Sequence, residues 1–154
     1  MARIRTPSVL QLEAAECGAA ALAMVLGYHG RFTPLDELRT LCGVSRDGSK
    51  ASSVLRAART FGLEARGLKA EPEHLATLDL PAIAFVNFNH FVVVEAIDHD
   101  HVWLNDPASG HRRETRAEFS ESFTGVVLVF KRGPDFRPGD TRPSLLPSDR
   151  KSVV

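Results

Sequence analysis

The sequence predicts an α+β domain, an amino-terminal helical half packed on a carboxy-terminal antiparallel sheet. Two observations carry this. An alanine- and leucine-rich run without proline, Cys17 to Tyr28, lies early in the chain, while short β-branched and aromatic runs such as Phe91 to Ile97 fill the second half. Helices first and strands afterwards give segregated layers, and the crevice between them is a natural place for chemistry.

The first helix is expected over Cys17 to Tyr28, with Gly27 and Gly30 at its end. Ala20, Ala21, Leu22, Met24, Val25 and Leu26 make it apolar nearly all round, which predicts a buried helix. Thr33-Pro34 reads as a cap residue followed by proline at the first helical position, opening a second helix to about Leu41. A third, about Lys50 to Phe61, sets Val54, Leu55, Ala58 and Phe61 along one face. Strands follow at Ala82 to Asn87, Phe91 to Ile97, His101 to Asn105 and Gly125 to Lys131, separated by turn residues that include Asp106-Pro107 and Ser109-Gly110. Pro134, Pro138, Pro143 and Pro147 punctuate the remainder. The folded domain is therefore expected over 1–131, with 132–154 a linker.

Composition narrows the function. The chain has 154 residues, 44% hydrophobic, with 19 Lys+Arg against 19 Asp+Glu. A balanced charge argues against nucleic acid as a partner, since a phosphate-binding face needs an excess of lysine and arginine. The longest apolar stretch, Ala19 to Leu26, is too short for a membrane span of about 20 residues. Two cysteines make no disulfide framework and suit a reducing compartment.

One of those cysteines is a candidate for chemistry. Cys17 sits at the expected first turn of the buried helix, where free N–H groups and the helix dipole favour an anion, and the thiolate is the nucleophilic form of the side chain. The plainer role for a free cysteine is that of a small buried apolar residue. Glu16 opposes a thiolate if it turns inward, so it is expected to point outward. Cys42, at the end of the second helix, is expected to be packing.

His90 opens one strand and Asp106 closes the next. If the two strands pair about Asp98 to Asp100, the start of one lies beside the end of the other, and the aspartate can hold the imidazole in one tautomer. Alone, each is an ordinary turn residue. Gln11, on the loop that feeds the helix, offers a carboxamide N–H to an oxyanion beside the Cys17 N–H. His99, Asp100 and His101 form the only metal candidate, and they lack zinc-site spacing. No Gly-x-Ser-x-Gly elbow and no phosphate-binding Gly-x-x-x-x-Gly-Lys loop occurs.

Taken together, Gln11-Leu-Glu-Ala-Ala-Glu-Cys17-Gly18, His90-Phe91-Val92-Val93 and Asn105-Asp106-Pro107-Ala108-Ser109-Gly110 resemble the C39 peptidases over about residues 7–131. These are papain-like domains of peptide-exporting ABC transporters. Glu16 departs from the aspartate that many members carry. The resemblance implies a papain-like cysteine endopeptidase that removes leaders from bacteriocin- or lanthipeptide-type precursors after a Gly-Gly or Gly-Ala motif. Cys17 would be the nucleophile, His90 the general base and then acid, Asp106 its orienting partner, and Gln11 part of the oxyanion hole. No cofactor is implied. The implied partners are the leader and the transporter's transmembrane and ATP-binding domains, at the cytoplasmic face of a bacterial membrane. Specificity for two small residues needs a narrow channel, for which Phe88 and Phe91 are candidate walls. A leader-binding module without hydrolysis, and another papain-like activity such as acyl transfer, are the alternatives.

Overall fold

The computed structural model describes residues 4–139. A single 3-10 turn, Ala14–Glu16, leads into α1 (Cys17–Tyr28), followed by α2 (Leu35–Leu41) and α3 (Ala51–Thr60). Then come β1 (Leu63–Lys69), a 3-10 stretch Pro72–Thr77, β2 (Ala82–Val86), β3 (His90–Ile97), β4 (His101–Asp106), β5 (Gly110–Thr115), α4 (Arg116–Ser122) and β6 (Phe123–Arg132). The six strands form one sheet in the order β1-β6-β2-β3-β4-β5, and every neighbouring pair is antiparallel. This is the α+β arrangement that the sequence predicts, with helices packed on an antiparallel sheet.

The sheet is covered on both faces, and that explains the unbroken apolar runs of its central strands. Ile83, Phe91, Val93, Leu128 and Phe130 point to one face, where they meet α1, α2 and α3. Ala82, Ala84, Val92, Val94 and Val127 point to the other, beneath Leu75 and Phe119. Alternate side chains of a strand leave opposite faces, so β2 and β3 need apolar residues at almost every position. Helix α1 is buried from Cys17 to Gly27, consistent with its apolar residues all round. Its small residues let other elements close in. A Cβ on Gly18 would stand 3.1 Å from Val54 and 3.4 Å from Phe91, and one on Gly27 would stand 2.6 Å from the Pro7 ring.

Three expectations are corrected. Pro34 is the cap of α2, with Leu35 its first residue, because an extended ψ of 144° at Pro34 keeps it outside the helix. The first half is not purely helical, since β1 forms the sheet edge against β6. The folded chain also runs past residue 131. Gly133 donates its N–H to the Gly62 carbonyl (3.0 Å), Phe136 is buried in the helical core, and Gly139 bridges to Arg31. Of the expected linker, residues 140–154 lie outside the described residues.

Candidate active site

Cys17 is the first residue of α1 and is 5% exposed. The 3-10 turn before it runs directly into the helix, which places its side chain at the amino-terminal, positive end of α1. His90 is the first residue of β3. It follows a tight turn in which Asn87 and Phe88 both take positive φ, 54° and 58°, closed by Asn89 N–H to the Val86 carbonyl (3.2 Å). Asn87 and Phe88 are thus two consecutive left-handed residues in a three-residue hairpin loop, a conformation that asparagine tolerates and phenylalanine does not favour. Asp106 is the last residue of β4, where Ala108 N–H donates to its Oδ1 (2.8 Å) in a side-chain-stabilised turn.

Antiparallel pairing of β3 with β4, Ile97 opposite Val102 and Val93 opposite Asn105, brings the start of one strand beside the end of the other. His90 Nε2–H donates to Asp106 Oδ1 at 2.7 Å, across 16 positions of sequence. Nδ1 remains for the sulfur. The Asp106 hydrogen bond first, and the Cys17 side chain second, hold a proton on the imidazole against its burial, so its pKa is raised to about 9. Burial alone would raise the Asp106 carboxyl. Hydrogen bonds from His90, Arg112 and the Ala108 N–H outweigh that and hold it well below the usual carboxylate range. The Arg112 contact is from Nη1 to Oδ2, on the oxygen that His90 does not use, while Arg112 Nε reaches Glu114 Oε2 at 3.0 Å.

Gln11 approaches the same turn, its N–H donating to the Pro107 carbonyl at 2.8 Å. Its Oε1 is buried and has no hydrogen-bond partner among the described residues. A carboxamide is nearly symmetric in shape, and a half-turn about its last torsion would put N–H donors in that place. Cys17, His90, Asp106 and the Gln11 backbone therefore share one end of the sheet. Of the two candidate channel walls, Phe88 is 78% exposed on the turn before His90. Phe91 is 3% exposed and packs against Phe85, with ring centroids 4.9 Å apart, so it serves the core instead of a channel.

Glu16 does not point outward. It is 1% exposed, its Oε1 accepts the N–H groups of Leu12 (2.7 Å) and Glu13 (2.9 Å), and its Oε2 meets Arg39 Nε at 2.7 Å. Satisfied on both oxygens, the carboxylate is stable inside. Cys42 is fully buried at the end of α2, and burial pushes its thiol up to about 11. The Asp98 carboxylate caps the N–H groups of Asp100 and His101, each at 2.8 Å, in an exposed turn. Among the described residues no three His, Cys, Asp or Glu side chains are grouped to hold a metal. Sequence reading missed Arg112 and the inward role of Glu16. Neighbouring Arg112 and Arg113 look alike in sequence, and only the β4–β5 register separates them.

The family model for the peptidase C39 family matches residues 5–135. The chain belongs to the peptidase C39 family. Curated relatives of this C39 domain include the probable microcin-H47 secretion/processing ATP-binding protein MchF of Escherichia coli, 37% identical over 134 residues that cover 87% of this chain and 19% of that protein. The lactococcin-G-processing and transport ATP-binding protein LagD of Lactococcus lactis subsp. lactis is 34% identical over 140 residues, 87% of this chain and 20% of that protein. The domain thus spans about a fifth of the length of the curated relatives it matches. Among solved structures, a double glycine motif protease from an AMS/PCAT transporter, in complex with its leader peptide, is 50% identical with a TM-score of 0.82. That match covers 84% of this chain and 94% of the other. The peptidase domain of Streptococcus ComA is 26% identical with a TM-score of 0.78, covering 83% and 99%. Among the described residues no helix is long and apolar enough to cross a membrane.

Proposed function

We propose that this C39 domain is a cysteine endopeptidase that removes the leader from bacteriocin- or lanthipeptide-type precursors after a double-glycine-type motif, as one part of a peptide-exporting ABC transporter. The observation that carries the reading is an imidazole bonded to a buried aspartate at 2.7 Å and facing a cysteine in the first turn of a buried helix. The substrate class is supported by a half-identical neighbour, a double glycine motif protease solved with a leader peptide.

In the proposed mechanism the Cys17 proton already rests on His90 as a thiolate–imidazolium pair, and Sγ attacks the carbonyl carbon of the second small residue. The carbonyl electrons move to oxygen, where the Cys17 N–H and the Gln11 carboxamide stabilise the charge. The C–N bond then breaks, and His90 returns its proton to the departing amine of the mature peptide. A thioester links the leader to Cys17. His90 next deprotonates a water that attacks this thioester, and the leader leaves as a carboxylate while the thiol is restored. Asp106 holds the imidazole throughout. Phe88, exposed beside His90, walls the channel that admits glycine or alanine and excludes larger side chains.

The transmembrane and ATP-binding parts of such a transporter would place the domain at the cytoplasmic membrane face. The test is incubation with the precursor peptide encoded beside the gene, followed by mass measurement of the products. Wild type should yield the leader ending in its small-residue pair, and Cys17→Ala should bind the leader without cutting it. Cleavage by Cys17→Ala refutes the mechanism, and binding without cleavage by wild type makes the domain a holding module.

A further inference from the structure

We propose that Glu16 is a positioning residue that fixes the Gln11 loop as an oxyanion donor, with the Arg39 guanidinium from α2 as its clamp. The inference rests on the peptidase reading above and adds a residue to it.

A carboxylate beside the nucleophile is an unexpected neighbour. It costs desolvation, and its negative charge works against a thiolate one residue away. A neutral residue would fill the same space without either penalty. Glu16 is nonetheless 1% exposed, so its placement calls for a compensating task. Its contacts state that task. Oε1 takes the two consecutive N–H groups that come after Gln11, those of Leu12 at 2.7 Å and Glu13 at 2.9 Å. Oε2 takes Arg39 Nε at 2.7 Å, and that guanidinium offsets the charge near the sulfur.

The peptide groups on both sides of the Gln11 Cα are thereby tied. Its own N–H goes to the Pro107 carbonyl, next to Asp106, at 2.8 Å. The next two N–H groups go to the side chain adjoining Cys17. One loop is thus stretched between the aspartate of the dyad and the residue before the nucleophile, with Gln11 between its anchors. Apolar packing does not supply this order, because Leu10 is 54% exposed and Leu12 is 82% exposed. Hydrogen bonds to one buried carboxylate do. Preorganised donors are effective because they need no rearrangement as the oxyanion forms, and small misplacements of them are costly.

A double-mutant cycle on precursor cleavage tests this. Gln11→Ala should lower kcat by about 10²–10³, the usual cost of one oxyanion donor. Glu16→Ala should lower kcat by about 10- to 100-fold with KM nearly unchanged, and in the Gln11→Ala background it should add almost nothing. Alkylation of Cys17 by iodoacetamide builds no oxyanion and should proceed in Glu16→Ala at least as fast as in wild type, since loss of the carboxylate favours the thiolate. Should Glu16→Ala fail to fold, Arg39→Ala, whose side chain is 45% exposed, carries the same cycle, with a several-fold loss in wild type and none beside Gln11→Ala. Losses that multiply, an unchanged kcat in both variants, or alkylation that falls in step with cleavage overturn the inference. So does a Gln11→Ala enzyme as fast as wild type, although the Cys17 mechanism then stands. A wild-type protein that does not cut its precursor instead removes the peptidase reading itself.

Discussion

Replacing Asp106 by asparagine changes one oxygen to an NH2 group, and the neighbours of that carboxylate determine the consequence. Three donors converge on it: His90 Nε2–H and the Ala108 N–H on Oδ1, and Arg112 Nη1 on Oδ2. A carboxamide has one acceptor atom, so it cannot serve both sides. If its oxygen stays with His90, its NH2 faces the guanidinium. If its oxygen turns to Arg112, which is charged and forms the stronger bond, its NH2 faces the imidazole and demands the opposite tautomer. The second arrangement leaves His90 holding its proton on Nδ1, where it cannot accept one from Cys17. Charge loss alone is the smaller effect. A histidine with a pKa of about 9 is about 99% protonated at pH 7, and at an ordinary pKa of about 6.5 it is still about a quarter protonated, a change of roughly fourfold. The tautomer switch is of the kind that costs about 10⁴ in serine proteases, so Asp106→Asn should lower kcat by about 10²–10⁴. Adding Arg112→Ala should return at least tenfold, because the amide oxygen is then free to face His90. Steady-state cleavage of the precursor by the two single variants and the double variant measures this. A double variant no faster than Asp106→Asn alone refutes the reasoning.

The remaining predictions concern pH and backbone. Because the His90 proton is held to about pH 9, by Asp106 first and Cys17 second, kcat/KM should keep its value through neutral pH and fall as pH rises through about 9. The same raised pKa makes a contribution to folding stability that is full below about pH 6.5 and lost through about 9, which urea midpoints across that window would show. In Gly62→Ala the new Cβ would stand 2.6 Å from the Phe136 backbone N at a φ of +94°, and backbone cannot yield as a side-chain tip can. Strain of about 1–2 kcal/mol with partial release of Phe136 should cost roughly 2–4 kcal/mol in urea unfolding, and a cost under about 1 kcal/mol contradicts a docked 133–139 segment. Phe88→Gly should relieve the left-handed strain at φ 58° and raise stability by about 0.5–1 kcal/mol while raising KM for the precursor several-fold. A loss of stability would mean that the ring's edge contact with Phe85, centroids 6.5 Å apart, outweighs the strain, and an unchanged KM would mean that it does not line the channel.

The approach of His90 to Asp106 and the place of Cys17 at the head of α1 were legible in sequence because they depend on local rules. An apolar run fixed α1 and put Cys17 in its first turn, and two apolar strands about an Asp-His-Asp turn implied a hairpin that joins His90 to Asp106. The features that sequence did not reveal are held by partners distant along the chain. Strand β1 buries Leu63 and Ala65 yet carries Glu64, Arg66 and Lys69, and it is a strand chiefly because β6 pairs with it. Strand β5, rich in arginine, is likewise made by β4. Glu16 reads as a surface residue until Arg39, on another helix, supplies the charge that lets it turn inward. Phe136 comes two residues after a proline in a segment of linker composition, and only the Gly62 turn shows where its ring goes.

The central claim, that the Cys17 sulfur attacks the leader's terminal small residue with help from His90, is met most directly by a leader peptide whose final glycine carboxyl is replaced by a nitrile. A thiolate adds to the nitrile carbon and takes the peptide's full mass as a thioimidate, which intact-protein mass spectrometry with peptide mapping locates. The account predicts one adduct, on Cys17, that forms far more slowly in His90→Ala, with the buried Cys42 untouched. An adduct on Cys42, or one on Cys17 that forms equally fast without the imidazole, would contradict it.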